Sequence, residues 1–355
     1  MSITNPPVVE RRSSPARLGA WDHVTSGVGY HLDNLARWLV GHAPRLAEAY
    51  ARLLQPGAPQ LSLRPGWRFA EEYYDQRRWF ACRRGALWEA MAKHDSVMSL
   101  ILPWYGDTTV DVTLGNDNSL CLYVCGSFEP NEFVFFDSFM RPGMVFVDVG
   151  ANDGYYSTFA ATRVGMAGRV IAVEPSSRER VNLRRNLERN GLKNVTIVPA
   201  ALGAAPGEAE LRLAEGVHSG HNTLGMFAHD DVAAMRVEQV DVETLDHLVN
   251  RLGVKAIDFI KIDVEGAEAN VIAGGRATLR AMQPVLLMEI NDMALRAQQN
   301  SAEQLVATLR DDFNYEILVF SADTGRLTAL VEGAALSPNI VAAPKDRAAQ
   351  LLGRG

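Results

Sequence analysis

The run Val145-Phe-Val-Asp148-Val149-Gly150-Ala-Asn152-Asp153-Gly154-Tyr155 constrains this chain more than any other stretch. A short apolar segment empties directly into a glycine-rich turn, and a helical pattern follows. A strand of that kind is buried on both faces, and the helix after the turn packs back onto the sheet, which is the opening of an α/β unit. Gly150 permits the tight turn, and Gly154 lets the helix and a bound ligand come close to the backbone. The alternation continues downstream. Strands are expected at Met144–Val149, Arg169–Glu174, Val195–Pro199, Ile257–Ile262, Val285–Ile290, Tyr315–Phe320 and near Asn339–Ala342, with a hairpin near Ala209–Leu213. Helices are expected at Tyr155–Arg163, Ser177–Asn190, Val242–Arg251, Ala267–Met282 (interrupted at Gly274-Gly275) and Ala302–Asp311. Together these predict an α/β fold with a Rossmann-like, doubly wound sheet.

Upstream the period differs. Leu32, Leu35, Trp38, Leu39, Leu46 and Tyr50 recur at helical spacing with Pro44 as a break, and residues 67–102 read as further helices. Thr109–Leu114 and Ser119–Val124 alternate about Gly115-Asn-Asp-Asn118, which predicts a β-hairpin before the core. The resulting division is a flexible tail over 1–20, a helical N-terminal extension over 21–104, the α/β domain over 105–346 and a C-terminal tail over 347–355. A net charge of -7 argues against a nucleic-acid partner, and Arg77, Arg78, Arg83 and Arg84 read as a solvated helix face. Three cysteines, Cys82, Cys121 and Cys125, read as buried thiols in a reducing compartment. With neither a signal-like leader nor an apolar stretch of membrane-spanning length, a cytoplasmic protein without a membrane span is expected. The N-terminal helices are a candidate homodimer surface.

The spacing Asp-x-Gly-x-x-x-Gly differs from the G-x-G-x-x-G of dinucleotide sites. A pyrophosphate wants bare N–H donors at a helix start. Asp148 and Asp153 would repel it, whereas they suit a cofactor carrying an ammonium and a sulfonium. S-adenosylmethionine, with S-adenosylhomocysteine as product, meets that description. Glu174, at the end of the next strand, falls beside the glycine turn in a doubly wound sheet and can accept both ribose hydroxyls. A Glu that caps the helix starting near Ser176 is the structural alternative. Two other function classes follow from the same pattern: an NAD-linked oxidoreductase, and a Rossmann-like binding module without activity.

These residues, with Lys261-Ile-Asp263-Val-Glu265-Gly266-Ala-Glu268, resemble the FkbM family of methyltransferases. The resemblance starts near Gly126-Ser-Phe-Glu129-Pro130. It passes through Pro142–Asn152, Glu174-Pro175, Ala200-Ala201-Leu202 and Thr244-Leu245-Asp246, and ends near Asn339 and Pro344. It covers about residues 105 to 346 and leaves the first hundred outside. It implies a Rossmann-like methyltransferase domain and methyl transfer from S-adenosylmethionine to a small-molecule or glycan acceptor. O-methylation of a sugar or natural-product hydroxyl comes first, and N-methylation of a peptide or amide is the alternative. Cofactor contacts are then expected from Glu129, Asp148, Gly150, Asn152, Asp153, Gly154, Glu174 and Ala201.

Methyl transfer to a hydroxyl needs alignment and a proton acceptor. Lys261 and Asp263, two apart on a strand, share a face near the ligand crevice, and Glu265 follows in the turn. With His218 and His221 in a polar loop, the expected catalytic set is His221, Asp263, Lys261 and Glu265. Asp263, Glu289 and Asn291 form the alternative set of hard oxygen ligands for Mg²⁺, but a metal is not expected to be required.

Overall fold

The computed structural model describes residues 34–67, 79–94, 98–214, 222–224, 234–331 and 333–353. Its centre is an eight-stranded sheet in the order β12-β11-β13-β10-β9-β3-β4-β5. The strands are β3 (Val145–Val149), β4 (Arg169–Val173), β5 (Val195–Val198), β9 (Phe259–Ile262), β10 (Val285–Glu289), β11 (Tyr315–Phe320), β12 (Leu327–Ala329) and β13 (Asn339–Pro344). β5, β4, β3, β9 and β10 run parallel, and β13 inserts antiparallel between β10 and β11. The order reverses at β3, so the crevice of this Rossmann-like sheet opens outside the carboxyl ends of β3, β4 and β9, where ligands of such sheets bind. A smaller sheet joins β6 (Ala201–Leu202), β8 (Ala234–Glu243) and β7 (Gly207–Ala214).

Period-two alternation splits the core. Phe146, Phe259, Val285 and Leu287 belong to one cluster with Phe136 and Phe159, whereas Val147, Val149, Ile260, Ile262, Leu286 and Met288 belong to the other. Along the first face the sequence changes character toward the strand ends. Phe146 is followed two residues later by Asp148, Phe259 two and four residues later by Lys261 and Asp263, and Leu287 two residues later by Glu289. One face of the sheet is therefore aromatic at its base and charged at its rim. The helices Pro130–Phe139 and Tyr155–Val164 lie over it, with Phe136 packed on Phe146 and Phe259 at ring separations of 5.0 and 5.1 Å.

Several local expectations are corrected. The hairpin before the core is built from β1 (Ser99–Pro103) and β2 (Thr109–Thr113), not from 109–114 and 119–124. Residues 99–103, read as helical, form its first arm. The second expected arm is helical instead. Asn116 accepts from the Ser119 N–H while Ser119 Oγ accepts from the Asn116 N–H, and this reciprocal cap starts a turn that runs through a π-helix at Leu120–Cys125. Cys121 and Cys125 are buried thiols there. The segment Val242–Glu243, read as helix, ends β8, because Thr244 caps the helix Leu245–Arg251. Residues 345–352, partly expected as tail, form a helix with Ala348 buried. Pro44 breaks the run as expected, since one helical segment ends at residue 42 and Pro44 opens the next, and the buried positions around it are Ala36, Leu39, Val40, Ala47, Ala51 and Leu54. Leu35, Trp38 and Leu46 stay exposed, so the packed stripe follows small residues that admit close approach. Arg83 is buried, and Arg84 donates to the carbonyls of Val124 and Leu54, which closes two helix ends. Residues 1–20, Arg77 and Arg78 lie outside the described residues.

The rim is held together by one backbone contact. Gly150 has φ +81°, and a Cβ there would sit 1.8 Å from the Asp263 carbonyl oxygen. We expect Gly150→Ala to destabilise the protein by about 2–5 kcal/mol, the sum of a left-handed alanine and an overpacked contact. Urea denaturation checks this, and a change below about 1 kcal/mol would mean the two segments separate freely.

Candidate active site

Lys261 is the charged centre of the rim. It is buried, and its Cα pairs with that of Asp148 across β3 and β9. Its Nζ lies 2.6 Å from Asp263 Oδ2 and 4.8 Å above the centre of the Tyr156 ring. Burial alone would lower the pKa of this amine, but the carboxylates of Asp263, Asp148 and Glu129 outweigh it and push the value up. Lys261 is therefore a fixed ammonium. It neutralises and orients acids and does not serve as a base.

In the glycine turn, the Ser157 hydroxyl donates to Asp148 Oδ2 at 2.6 Å, while Oδ1 is buried with no hydrogen-bond partner among the described residues. Burial raises the Asp148 pKa to about 6, with Lys261 opposing. A buried carboxylate oxygen left open beside a glycine turn fits a cationic ligand. Glu174 accepts from the Asn152 N–H through Oε2 and from the Ser176 N–H through Oε1, both at 2.8 Å. It supports the following helix start, as the structural alternative expects, and each oxygen keeps a lone pair for a further donor. Asn152 adopts φ +50° to present that N–H. Burial raises the Glu174 pKa to about 8.

Asp153 is placed differently from the expectation. Its carboxylate is buried and accepts from Asn182 Nδ2 at 3.0 Å, the Tyr155 hydroxyl at 3.2 Å and Asn118 Nδ2 at 3.5 Å. It braces the turn against the helix Ser177–Arg189, and the repulsion of a pyrophosphate falls to Asp148. Gly154 packs the same helix, since a Cβ there would lie 2.3 Å from Leu183 Cδ1. Ala201 is buried in β6.

Glu129 reaches the rim from the covering layer. Its backbone is left-handed (φ +41°) just before Pro130. Oε2 accepts from the Tyr156 hydroxyl at 2.6 Å and Oε1 from Asn339 Nδ2 at 2.9 Å. The same Asn339 nitrogen donates to Glu132 Oε1 at 3.2 Å. Burial raises the pKa of both acids, that of Glu132 to about 8. Tyr156, Ser157, Glu132 and Asn339 were not singled out for this site from the sequence. A tyrosine in the first helical turn after a glycine loop is the one signal that could have done so.

At the ends of β9 and β10, carboxylate oxygens of Asp263, Glu265 and Glu289 lie within 4.8 Å of one another. Glu289 is hydrogen-bonded to Asp263, and burial followed by repulsion from Asp263 and Glu265 pushes its pKa well up. Glu265 joins Asp263 and Glu289 there, while Asn291, named with them from the sequence, caps a helix through Oδ1, which accepts from the Ala294 N–H. Glu265 has φ +50°, and its carbonyl accepts from the Thr223 hydroxyl at 3.1 Å. His218 and His221 lie outside the described residues. Asn222, next in the chain, accepts from the Ala214 N–H and Arg178 Nη2.

A methyltransferase FkbM domain matches residues 148–317, which span the glycine turn, Glu174 and the Lys261–Glu289 rim. The chain belongs to the FkbM methyltransferase family. This FkbM-family chain is 29% identical over 224 residues to AMB antimetabolite synthetase AmbE of Pseudomonas aeruginosa, covering 55% of the chain and 10% of that much longer protein. It is 32% identical over 158 residues to the "Probable cobalt-precorrin-6B C(15)-methyltransferase (decarboxylating)" of Pyrobaculum calidifontis, covering 42% of the chain and 79% of that protein. A solved FkbM methyltransferase from Methylobacillus flagellatus aligns with 14% identity and a TM-score of 0.36, over 77% of this chain and 57% of the other. No helix among the described residues is long and apolar enough to cross a membrane.

The buried acids of this FkbM-family site give a pH signature. Glu174 holds its proton to about pH 8 when folded, above its ordinary carboxylate value. Between those limits the folded state binds a proton that the unfolded state has lost, so its contribution to stability is full at low pH and disappears as pH rises through the folded value. We expect the melting temperature of Glu174→Gln, which cannot ionise, to fall less from about pH 5 to about pH 8.5 than that of the parent. Parallel melting curves would place the Glu174 pKa at its ordinary value.

Proposed function

We propose that the crevice at the ends of β3, β4 and β9 binds S-adenosylmethionine and that the enzyme methylates a hydroxyl of a sugar or natural-product acceptor. The observation that carries this reading is the charge balance at the rim. Glu129, Asp148 and Asp263 gather around Lys261, and Glu289 adjoins Asp263. Such a surplus of carboxyl groups favours a cationic cofactor over a diphosphate. Glu174 would hold the ribose hydroxyls, Gly150 and Gly154 would admit the cofactor to the backbone, and Asp148 and Glu129 would face its charged portion, with Asn152 and Ala201 at its borders. When bound, S-adenosylmethionine supplies an electrophilic methyl on a sulfonium.

Asp263 is the proposed proton acceptor at its carboxylate. Lys261 fixes its orientation through Oδ2, and carboxylate oxygens of Glu265 and Glu289 lie within 4.8 Å of it. A hydroxyl must give up its proton during transfer, and so must an amide nitrogen, whereas a neutral amine attacks without losing one first, so a positioned carboxyl pair supports a hydroxyl, or the alternative amide, over an amine acceptor. His221 enters the proposal on sequence grounds, as a second proton acceptor preceding Asn222. The relationship to an antimetabolite synthetase supports a natural-product acceptor. Lys261 already serves as the built-in cation of Asp263, which supports a reaction without added metal.

Three outcomes are expected. Glu174→Ala weakens S-adenosylhomocysteine binding, measured by calorimetry, by about 2 kcal/mol. Unchanged affinity removes Glu174 from ribose recognition, and NADH binding in place of S-adenosylhomocysteine points to an oxidoreductase. Asp263→Asn lowers kcat by about a hundredfold or more in a labelled-methyl transfer assay, with cofactor affinity retained; near-parent turnover makes Asp263 structural. EDTA leaves activity in place, and loss restored by Mg²⁺ would assign Asp263, Glu265 and Glu289 to a metal.

A further inference from the structure

Asn339 opens β13, the strand that runs against its neighbours, and is the backbone partner of Glu289 at the end of β10. Its side chain is buried and leaves the sheet to meet the covering layer, where Nδ2 donates to Glu129 Oε1 at 2.9 Å. From the other side the Tyr156 hydroxyl donates to Glu129 Oε2 at 2.6 Å. Glu129 is thus gripped through both oxygens by neutral donors, at a left-handed backbone position that sets its direction. Neutral donors satisfy a buried carboxylate without cancelling its charge. The nearby ammonium, Lys261, makes its direct ion pair with Asp263, not with Glu129. Glu132 takes the second contact from the Asn339 nitrogen, and its other oxygen has no hydrogen-bond partner among the described residues. Two acids thus hang from one amide nitrogen, beside Tyr156 of the helix that follows the glycine turn.

We propose that Asn339 and Tyr156 are positioning residues that aim the Glu129 carboxylate at the amino-acid portion of the cofactor, so that they set affinity for that portion and not for the adenosine. The proposal rests on the S-adenosylmethionine reading above. A merely structural Asn339 would fasten the helix Pro130–Phe139 to the sheet and affect every ligand alike.

The test compares two probes on the full chain by calorimetry: S-adenosylhomocysteine, which has the amino-acid portion, and 5′-methylthioadenosine, which lacks it. Asn339→Leu and Tyr156→Phe should each weaken S-adenosylhomocysteine by about tenfold or more, the worth of one charge-assisted hydrogen bond, and leave methylthioadenosine within about twofold. In a Glu129→Gln background the Asn339→Leu change should cost nothing further. Asn339→Gln, which keeps the donor, should recover part of the loss. Equal weakening of both probes, or a full loss persisting in the Glu129→Gln background, overturns the proposal. Should Asn339→Leu not fold, Tyr156→Phe decides by the same comparison. A parent protein that binds neither probe overturns the cofactor reading along with this one; a parent that binds both, with unselective variants, overturns this one alone.

Discussion

The rim of the sheet depends on a missing side chain. At Gly150 the chain leaves β3 and presses its bare α-carbon against the carbonyl of Asp263, the residue that follows β9. Any Cβ would force these neighbours apart. Because they touch, the glycine turn and the proposed proton acceptor belong to one piece of backbone. Asp263 donates its own N–H to the carbonyl of Val149, so the contact is pinned from both sides. A transfer reaction depends on sub-ångström placement of acceptor and donor, and this junction supplies it without a dedicated loop.

Charge is managed at the same place. A buried carboxyl group is costly unless paired or hydrogen-bonded. Lys261 pairs with Asp263, Ser157 holds one oxygen of Asp148, backbone N–H groups hold both oxygens of Glu174, and Tyr156 with Asn339 hold Glu129. Within this set, Asp148 keeps a buried oxygen with no hydrogen-bond partner among the described residues, next to the turn, where a positively charged ligand would complete it.

Much of this was legible in the sequence because it follows from local rules. Apolar strands, glycine turns and capped helices announced the α/β sheet, and the two-residue spacing of Lys261 and Asp263 announced their shared face. What escaped depends on partners distant in the chain. Residues 119–124 alternate like a strand, yet the reciprocal Asn116–Ser119 cap wins and the segment coils. Asp153 looked like a ligand contact, but Asn118 and Asn182, from segments on either side, claim its oxygens. Asn339 lies 210 residues from Glu129, a separation no periodicity bridges. Asn291 meets a local demand, the cap of the helix that follows it, and the carboxyl group found beside Asp263 and Glu289 is that of Glu265.

The most direct measurement of the central claim is a crystal structure of the chain grown with S-adenosylhomocysteine. The account predicts the ligand across the ends of β3 and β4, its ribose hydroxyls on Glu174, its amino-acid end toward Asp148 and Glu129, and its sulfur within reach of an acceptor held by Asp263. Density for the ligand elsewhere on the chain, or a crevice closed by side chains with Glu174 turned away from it, would contradict the account.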